Sequence, residues 1–362
     1  MSFDHVIGQQ HAKDILRRAL EHERLPHAYL FSGPIGVGKE AMALELTRAL
    51  FCKSDGPKPC DACSNCHRVR KFQHPDFTFL FPSSAKSVEQ ERDILDSIAA
   101  NPYMREKPWA TPSISIEHIR EIRHSATLKP LEGKRVVVIA EADKMTIPAA
   151  NSLLKVLEEP PPATTLILTA SQVNAMLPTI LSRCQEIRFG PIPDDEIERA
   201  LIERQGVEPE RARLISRISQ GSYRHAIEWL EQSFADRRND AVEFLRVCLK
   251  DPRAQIEWVE AYLKNYEKKD IKEILSLLLL WFRDALMLMQ GMDEHLLRLV
   301  NFDQRETLNK FVNAFETIDF DTAFAHIEES IQMIERNIQL NLILIVLMSN
   351  LRNSFKLKGR TS

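Results

Sequence analysis

From residue 1 to 190, short apolar runs alternate with helical stripes, the pattern of a parallel sheet covered on both faces. Ala28-Tyr29-Leu30-Phe31, Phe77 to Phe81, Arg135 to Ala140, Thr165 to Ala170 and Glu186 to Phe189 read as strands. Helices are predicted over Gln9 to Leu20, over Lys39 to Phe51, and over Ala149 to Glu158, where Pro160-Pro161-Pro162 stops the chain. Pro191-Ile192-Pro193 is the clearest boundary. Beyond it no strand pattern appears. Residues 191–233 read as a small helical unit and 234–362 as further helices, of which Ile274 to Met289 and Ile338 to Leu351 are apolar almost all round and are expected to be buried in a helical assembly. The polar stretch 82–112 is expected to be an irregular inserted loop. The fold class is therefore α/β followed by all-α.

The first strand runs into Gly33-Pro34-Ile35-Gly36-Val37-Gly38-Lys39, and a helix follows. That is the context in which a glycine loop wraps phosphates with backbone N–H groups and Lys39 reaches the outer oxygens. A working loop of this kind continues with Ser or Thr, whose hydroxyl binds Mg²⁺. Here the next residue is Glu40, a longer, negative side chain. At Val136-Val137-Val138-Ile139-Ala140-Glu141, Ala140 stands where an active site carries a magnesium-holding Asp, although Glu141 is kept. Taken alone, this is a buried strand followed by an ordinary acidic turn. Taken with Glu40, it removes both protein contacts to magnesium and points to absent hydrolysis.

Six cysteines are present, four of them as Cys52, Cys60, Cys63 and Cys66. Four thiolates in fifteen residues can close a tetrahedral Zn²⁺ site with no open position, a structural arrangement. Disulfides are the alternative, and a cytoplasmic chain argues against them. Nothing at Met1-Ser2-Phe3-Asp4-His5 resembles a secretory signal, and the apolar stretch Leu277 to Phe282 is far too short for a membrane span. A net charge of −3 excludes a surface coated in positive charge for nucleic acid, so any such contact is local or shared.

Two arginines remain open in meaning. Arg183, in Leu181-Ser182-Arg183-Cys184, is either a solvated surface residue or a cation aimed across a subunit boundary at a neighbour's ATP. Arg224, in Gly221-Ser222-Tyr223-Arg224, either touches phosphate or faces water.

Together these segments, with Ile7-Gly8-Gln9, Leu25-Pro26-His27-Ala28, His74-Pro75-Asp76 and Asn151-Ser152-Leu153-Leu154-Lys155-Val156-Leu157-Glu158-Glu159-Pro160-Pro161, resemble the clamp-loader branch of the AAA+ ATPases. The match runs in order from residue 3 to about 230. The resemblance implies a P-loop AAA+ domain with a zinc module at 52–66, a lid at 191–233 and an oligomerisation collar at 234–362. It implies a place in the DNA polymerase III holoenzyme, a nucleotidyltransferase, with gamma/tau and delta subunits in a heteropentamer that loads the beta sliding clamp onto primed DNA. It makes Arg183 an arginine finger in trans and Arg224 a sensor of bound nucleotide. Glu40 and Ala140 depart from the ATPase pattern and fit a non-hydrolysing stator. ATP or ADP binding through Gly33, Gly36, Gly38, Lys39 and Arg224 is then weak or absent. The alternatives are an active motor ATPase of the gamma/tau type, and a zinc-bearing adaptor outside replication.

Overall fold

A computed structural model describes residues 3–84, 88–105, 108–109, 112–127, 129–231, 234–290, 299–336 and 338–357. The backbone forms two compact units, Met1–Ile227 and Glu228–Ser362.

The first unit is built on five parallel strands in the order β2-β3-β4-β1-β5. In chain order its elements are α1 (Gln10–Glu21), β1 (Ala28–Ser32), α2 (Lys39–Phe51), α3 (Ser64–Arg70), β2 (Phe77–Leu80), α4 (Val88–Ala100), α5 (Ile116–Thr127), β3 (Arg135–Ile139), α6 (Ile147–Glu158), β4 (Thr164–Ala170), α7 (Pro178–Leu181), β5 (Gln185–Arg188), α8 (Asp194–Gln205) and α9 (Pro209–Ile218). Helix α10 (Tyr223–Glu231) starts here. Strands β1 and β3 are buried along their whole length, which is why they read as unbroken apolar runs, whereas edge strand β5 buries only Ile187. Burying each of Val136, Val137, Val138 and Ile139 stabilises the sheet by about 1.5–3 kcal/mol. Thr146 caps α6, its hydroxyl accepting from the Ala149 N–H, and the helix buries Leu153, Val156 and Leu157 against the sheet.

One expectation fails. The stretch 82–112 is not an irregular loop throughout, because α4 occupies its middle. Among the described side chains of this helix only Ile94 and Ile98, one turn apart, are fully buried, too narrow a stripe to stand out among charged neighbours. Residues 85–87, 106–107 and 110–111 of that stretch, and Asn337, lie outside the described residues.

The second unit contains α11 (Phe234–Cys248), α12 (Pro252–Tyr262), α13 (Lys268–Met289), α14 (Arg305–Ala314), α15 (Phe320–Glu335) and α16 (Leu340–Asn353). It also holds two short antiparallel strands, β6 (Phe315–Ile318) and β7 (Phe355–Leu357), where no strand pattern is expected. Segments of three and four residues are too short for alternation to register. Phe282, Phe311, Phe315 and Phe355 form one aromatic cluster with them. Within the chain α16 buries Ile343, Leu344, Leu347, Met348 and Leu351 but leaves Leu342 and Val346 exposed. No helix among the described residues is long and apolar enough to cross a membrane.

Candidate functional site

The glycine loop leaves the C-terminal end of β1, where open α/β sheets place their ligands. Its first residue is tied down by the Gly33 N–H donating to the Ala170 carbonyl of β4 at 3.2 Å. Gly36 turns the chain at φ 77°, and a Cβ there would stand 2.2 Å from Ser222 Oγ and 2.6 Å from Arg224 Cβ. Its carbonyl accepts from the Tyr223 N–H at 3.1 Å, so the first turn of α10 rests on the loop and brings Arg224 to it. Gly38, at φ 98°, precedes α2, and a Cβ on it would meet the Tyr103 hydroxyl at 2.9 Å.

Lys39 is turned back on its own loop. Its Nζ donates to the Gly33 carbonyl at 2.6 Å, the Pro34 carbonyl at 2.5 Å and Ser171 Oγ at 3.1 Å. Burial pushes its pKa down to about 8, against the opposing pull of Glu40 and Asp143.

Beside it, at the positions where magnesium contacts are expected, stand an acid and a methyl group. Ala140 is fully buried and its N–H donates to the Leu80 carbonyl at 2.8 Å. The Glu40 carboxylate lies 3.5 Å from Arg105 Nη1, and Arg105 forms a second ion pair with Glu141. Arg105 is only 5% exposed, and burial lowers its pKa while Glu40 opposes that shift. Its carbonyl accepts from Arg224 Nη2 at 3.4 Å. The cavity that remains, lined by Gly36, Gly38, Lys39, Glu40, Arg105 and Arg224 among others, measures about 40 Å³. That is space for a few water molecules. Tyr103 and Arg105 escaped sequence reading because they fall in the polar stretch taken for a loop. An aromatic and a basic residue amid polar ones was the only available signal.

Arg183 sits elsewhere. It precedes β5, whose first residue pairs with Tyr29, whereas the glycine loop follows the last residue of β1. By register the two lie about six strand residues apart, roughly 20 Å along the sheet. Arg183 Nη2 donates to Glu158 Oε1 and Nη1 to the Thr179 carbonyl, both at 3.0 Å, and its side chain is 35% exposed.

The four cysteines come together at the far end of α2, which at ~1.5 Å per residue sets them about 20 Å from the loop. Cys52 follows the helix, Cys63 caps α3 and Cys66 lies within it. Their sulfurs all lie within 4.8 Å of one another. Burial works against charge on Cys63, yet backbone N–H groups of Lys53 and Cys66 hold its thiol down at about 6. Four converging sulfurs, one of them poised as thiolate, fit a tetrahedral metal ion. Between Cys60 and Cys63, Asp61 pairs with Arg48 of α2 and with His5 at 3.1 Å, which docks the module onto the helix. His74 stacks on Phe51, and Asp76 accepts from the Leu131 and Glu132 N–H groups at 3.0 and 2.8 Å, so His74-Pro75-Asp76 is a brace for the start of β2.

A sequence profile described as "DNA polymerase III, delta subunit" matches residues 8–193, more than half of the 362 residues. The chain belongs to this family. Among relatives, the DNA polymerase III subunit delta' of Bacillus subtilis is 31% identical to this delta-family chain over 293 residues, 80% of each protein. The DNA polymerase III subunit tau of Salmonella typhimurium is 30% identical over 241 residues, 65% of this chain and 33% of tau. Among solved structures, a DNA polymerase III gamma subunit-related protein of Thermotoga maritima aligns over 94% of this chain and 98% of its own at 16% identity, with a TM-score of 0.48. The delta-family profile takes in the glycine loop, the cysteine module and Arg183, and stops short of Arg224.

Proposed function

We propose that the chain is a delta-prime-type stator of a bacterial DNA polymerase III clamp loader. It joins gamma/tau and delta subunits in a five-membered ring that places the beta sliding clamp on primed DNA, and it hydrolyses no ATP itself. The observation that carries this reading is the state of the glycine loop. Magnesium bridging a nucleotide's phosphates would meet the Glu40 carboxylate and the Ala140 methyl group, with the Arg105 guanidinium between Glu40 and Glu141. Lys39 is engaged with the loop's own carbonyls. The 31% identity to a delta' subunit over 80% of both chains supports the same assignment.

What such a subunit contributes is Arg183. Its pairing with Glu158 is solvent-exposed and worth about 0–1 kcal/mol, so a neighbour's ATP can take the guanidinium at little cost. Placed there, it meets negative charge growing on the γ-phosphate, an effect of ~10³ or more in rate. Zn²⁺ on Cys52, Cys60, Cys63 and Cys66 supplies structure only.

The test is clamp- and DNA-stimulated ATP hydrolysis by gamma/tau with delta, adding this chain intact or as Arg183→Ala. The chain alone is expected to be silent. The variant is expected to assemble normally yet lower the rate of the active site it serves by ~10³ or more. Retention of Lys39 and Arg224 at the loop favours a second reading, an active gamma/tau-type ATPase. It requires turnover by the isolated chain that Lys39→Ala abolishes.

A further inference from the structure

We propose that residues 102–105 are a built-in substitute for a nucleotide, with Tyr103 holding the place of the base and Arg105 that of the metal ion. The site is then closed by the chain's own side chains rather than dismantled. This deepens the non-hydrolysing reading above and rests on it for the choice of ADP as the probe.

Three elements gathered at the glycine loop, to which Gln9 of the N-terminal segment donates at the Val37 carbonyl, close around Tyr103. Its hydroxyl accepts from the Ile7 N–H at 2.7 Å, on the N-terminal segment. The same hydroxyl lies against Gly38, at the end of the glycine loop. Its ring meets Tyr223, the first residue of α10, edge-on at 5.0 Å. The residue is 6% exposed. A flat ring whose edge offers an acceptor to a backbone N–H is also what a purine presents. Two residues on, the Arg105 cation fills the gap between Glu40 and Glu141, so positive charge lies beside Glu40, at one magnesium-contact position, and beside Glu141, the chain neighbour of Ala140 at the other.

The cavities agree with this reading. Pro102 and Tyr103 line both the cavity of about 40 Å³ at the loop and a second of about 320 Å³, whose walls include Arg48, Arg204 and Tyr223. Tyr103 is thus a partition, and its removal joins the two into a space of the size that small ligands occupy. An internal occupant acts as a competitor, because apparent affinity falls by the fraction of time that the site stands open. A site open about 1% of the time binds about 100-fold more weakly than its open form.

The experiment titrates ADP into four full-length proteins: the parent, Glu40→Thr, Tyr103→Ala/Arg105→Ala, and the triple variant that combines all three changes. Glu40→Thr relieves repulsion of phosphate but leaves Tyr103 bonded to Ile7 and Arg105 paired with Glu141, so it is expected to bind no better than the parent. The triple variant is expected to bind ADP at least about tenfold more tightly than either. Equal binding by Glu40→Thr and the triple variant would overturn the plug. So would a triple variant that keeps the parent's circular dichroism and melting temperature and gains no affinity. Should the triple variant fail to fold, amide hydrogen exchange at Ile7 decides. It is expected to be slow in the parent and faster in Tyr103→Phe, and equal rates overturn the proposal. ATP hydrolysis by the parent would instead defeat the function proposed above, whereas failure of the triple variant to bind ADP defeats only the plug.

Discussion

Helix α2 joins two sites that differ in how far their own residues decide their chemistry. At its C-terminal end, four cysteines supply the donors. Once α3 packs on α2, their sulfurs fall within 4.8 Å of one another, close enough together to hold a metal ion. At its N-terminal end the glycine loop keeps its spacing, its positive φ angles and its lysine, yet the space they frame is taken by Tyr103 and Arg105. A metal site is defined by the donors present. A phosphate site is defined as much by what stays out of it.

The largest effect that could break this contrast lies at the cysteines. Cys60→Ser/Cys63→Ser is expected to lose one bound zinc per chain by atomic emission and several kcal/mol of unfolding free energy, because metal binding is coupled to folding. An apo protein as stable as the metal-loaded one would show that the donors alone do not decide that end.

Next comes Lys39. Its pKa falls on folding from 10.5 to about 8, so between those values the unfolded chain binds more protons than the native one. This group's contribution to stability therefore rises with pH across that window, by on the order of 3 kcal/mol. Lys39→Met is expected to abolish the rise in urea unfolding compared at pH 7.5 and 10.5. A pH-independent difference between the two proteins would place Lys39 in water, as in an open phosphate loop.

The smallest effect sharpens the comparison. Gly36→Ala is expected to lower stability by about 1–3 kcal/mol, since its Cβ meets Ser222 and Arg224 at a backbone angle that alanine avoids. An unchanged Tm would lift α10 off the loop.

Legibility followed the range of the interactions involved. Lys39 to Phe51 was readable to its exact bounds because Gly38 marks its start and Cys52 its change to extended backbone. The buried strands β1 and β3 announced themselves as apolar runs. Helix α4 did not, since two isoleucines carry its fully buried stripe, and β6 and β7 did not, since they pair residues some forty positions apart. Arg105 left no mark beyond being a basic residue in a polar stretch. Its partners Glu40 and Glu141 are distant in sequence, and neither spacing nor composition links them.

By itself the sequence determined the five strands of the first unit, the glycine loop, the grouping of four cysteines and the presence of Glu40 and Ala140 where magnesium contacts are expected, because each depends on residues near one another along the chain. Only the tertiary structure decided that Tyr103 and Arg105 pack against the loop and that Arg183 stands apart from it, bound to Glu158. Those outcomes depend on which groups a folded chain packs into a given space, and residues far apart in sequence compete for that space without any periodicity to announce them.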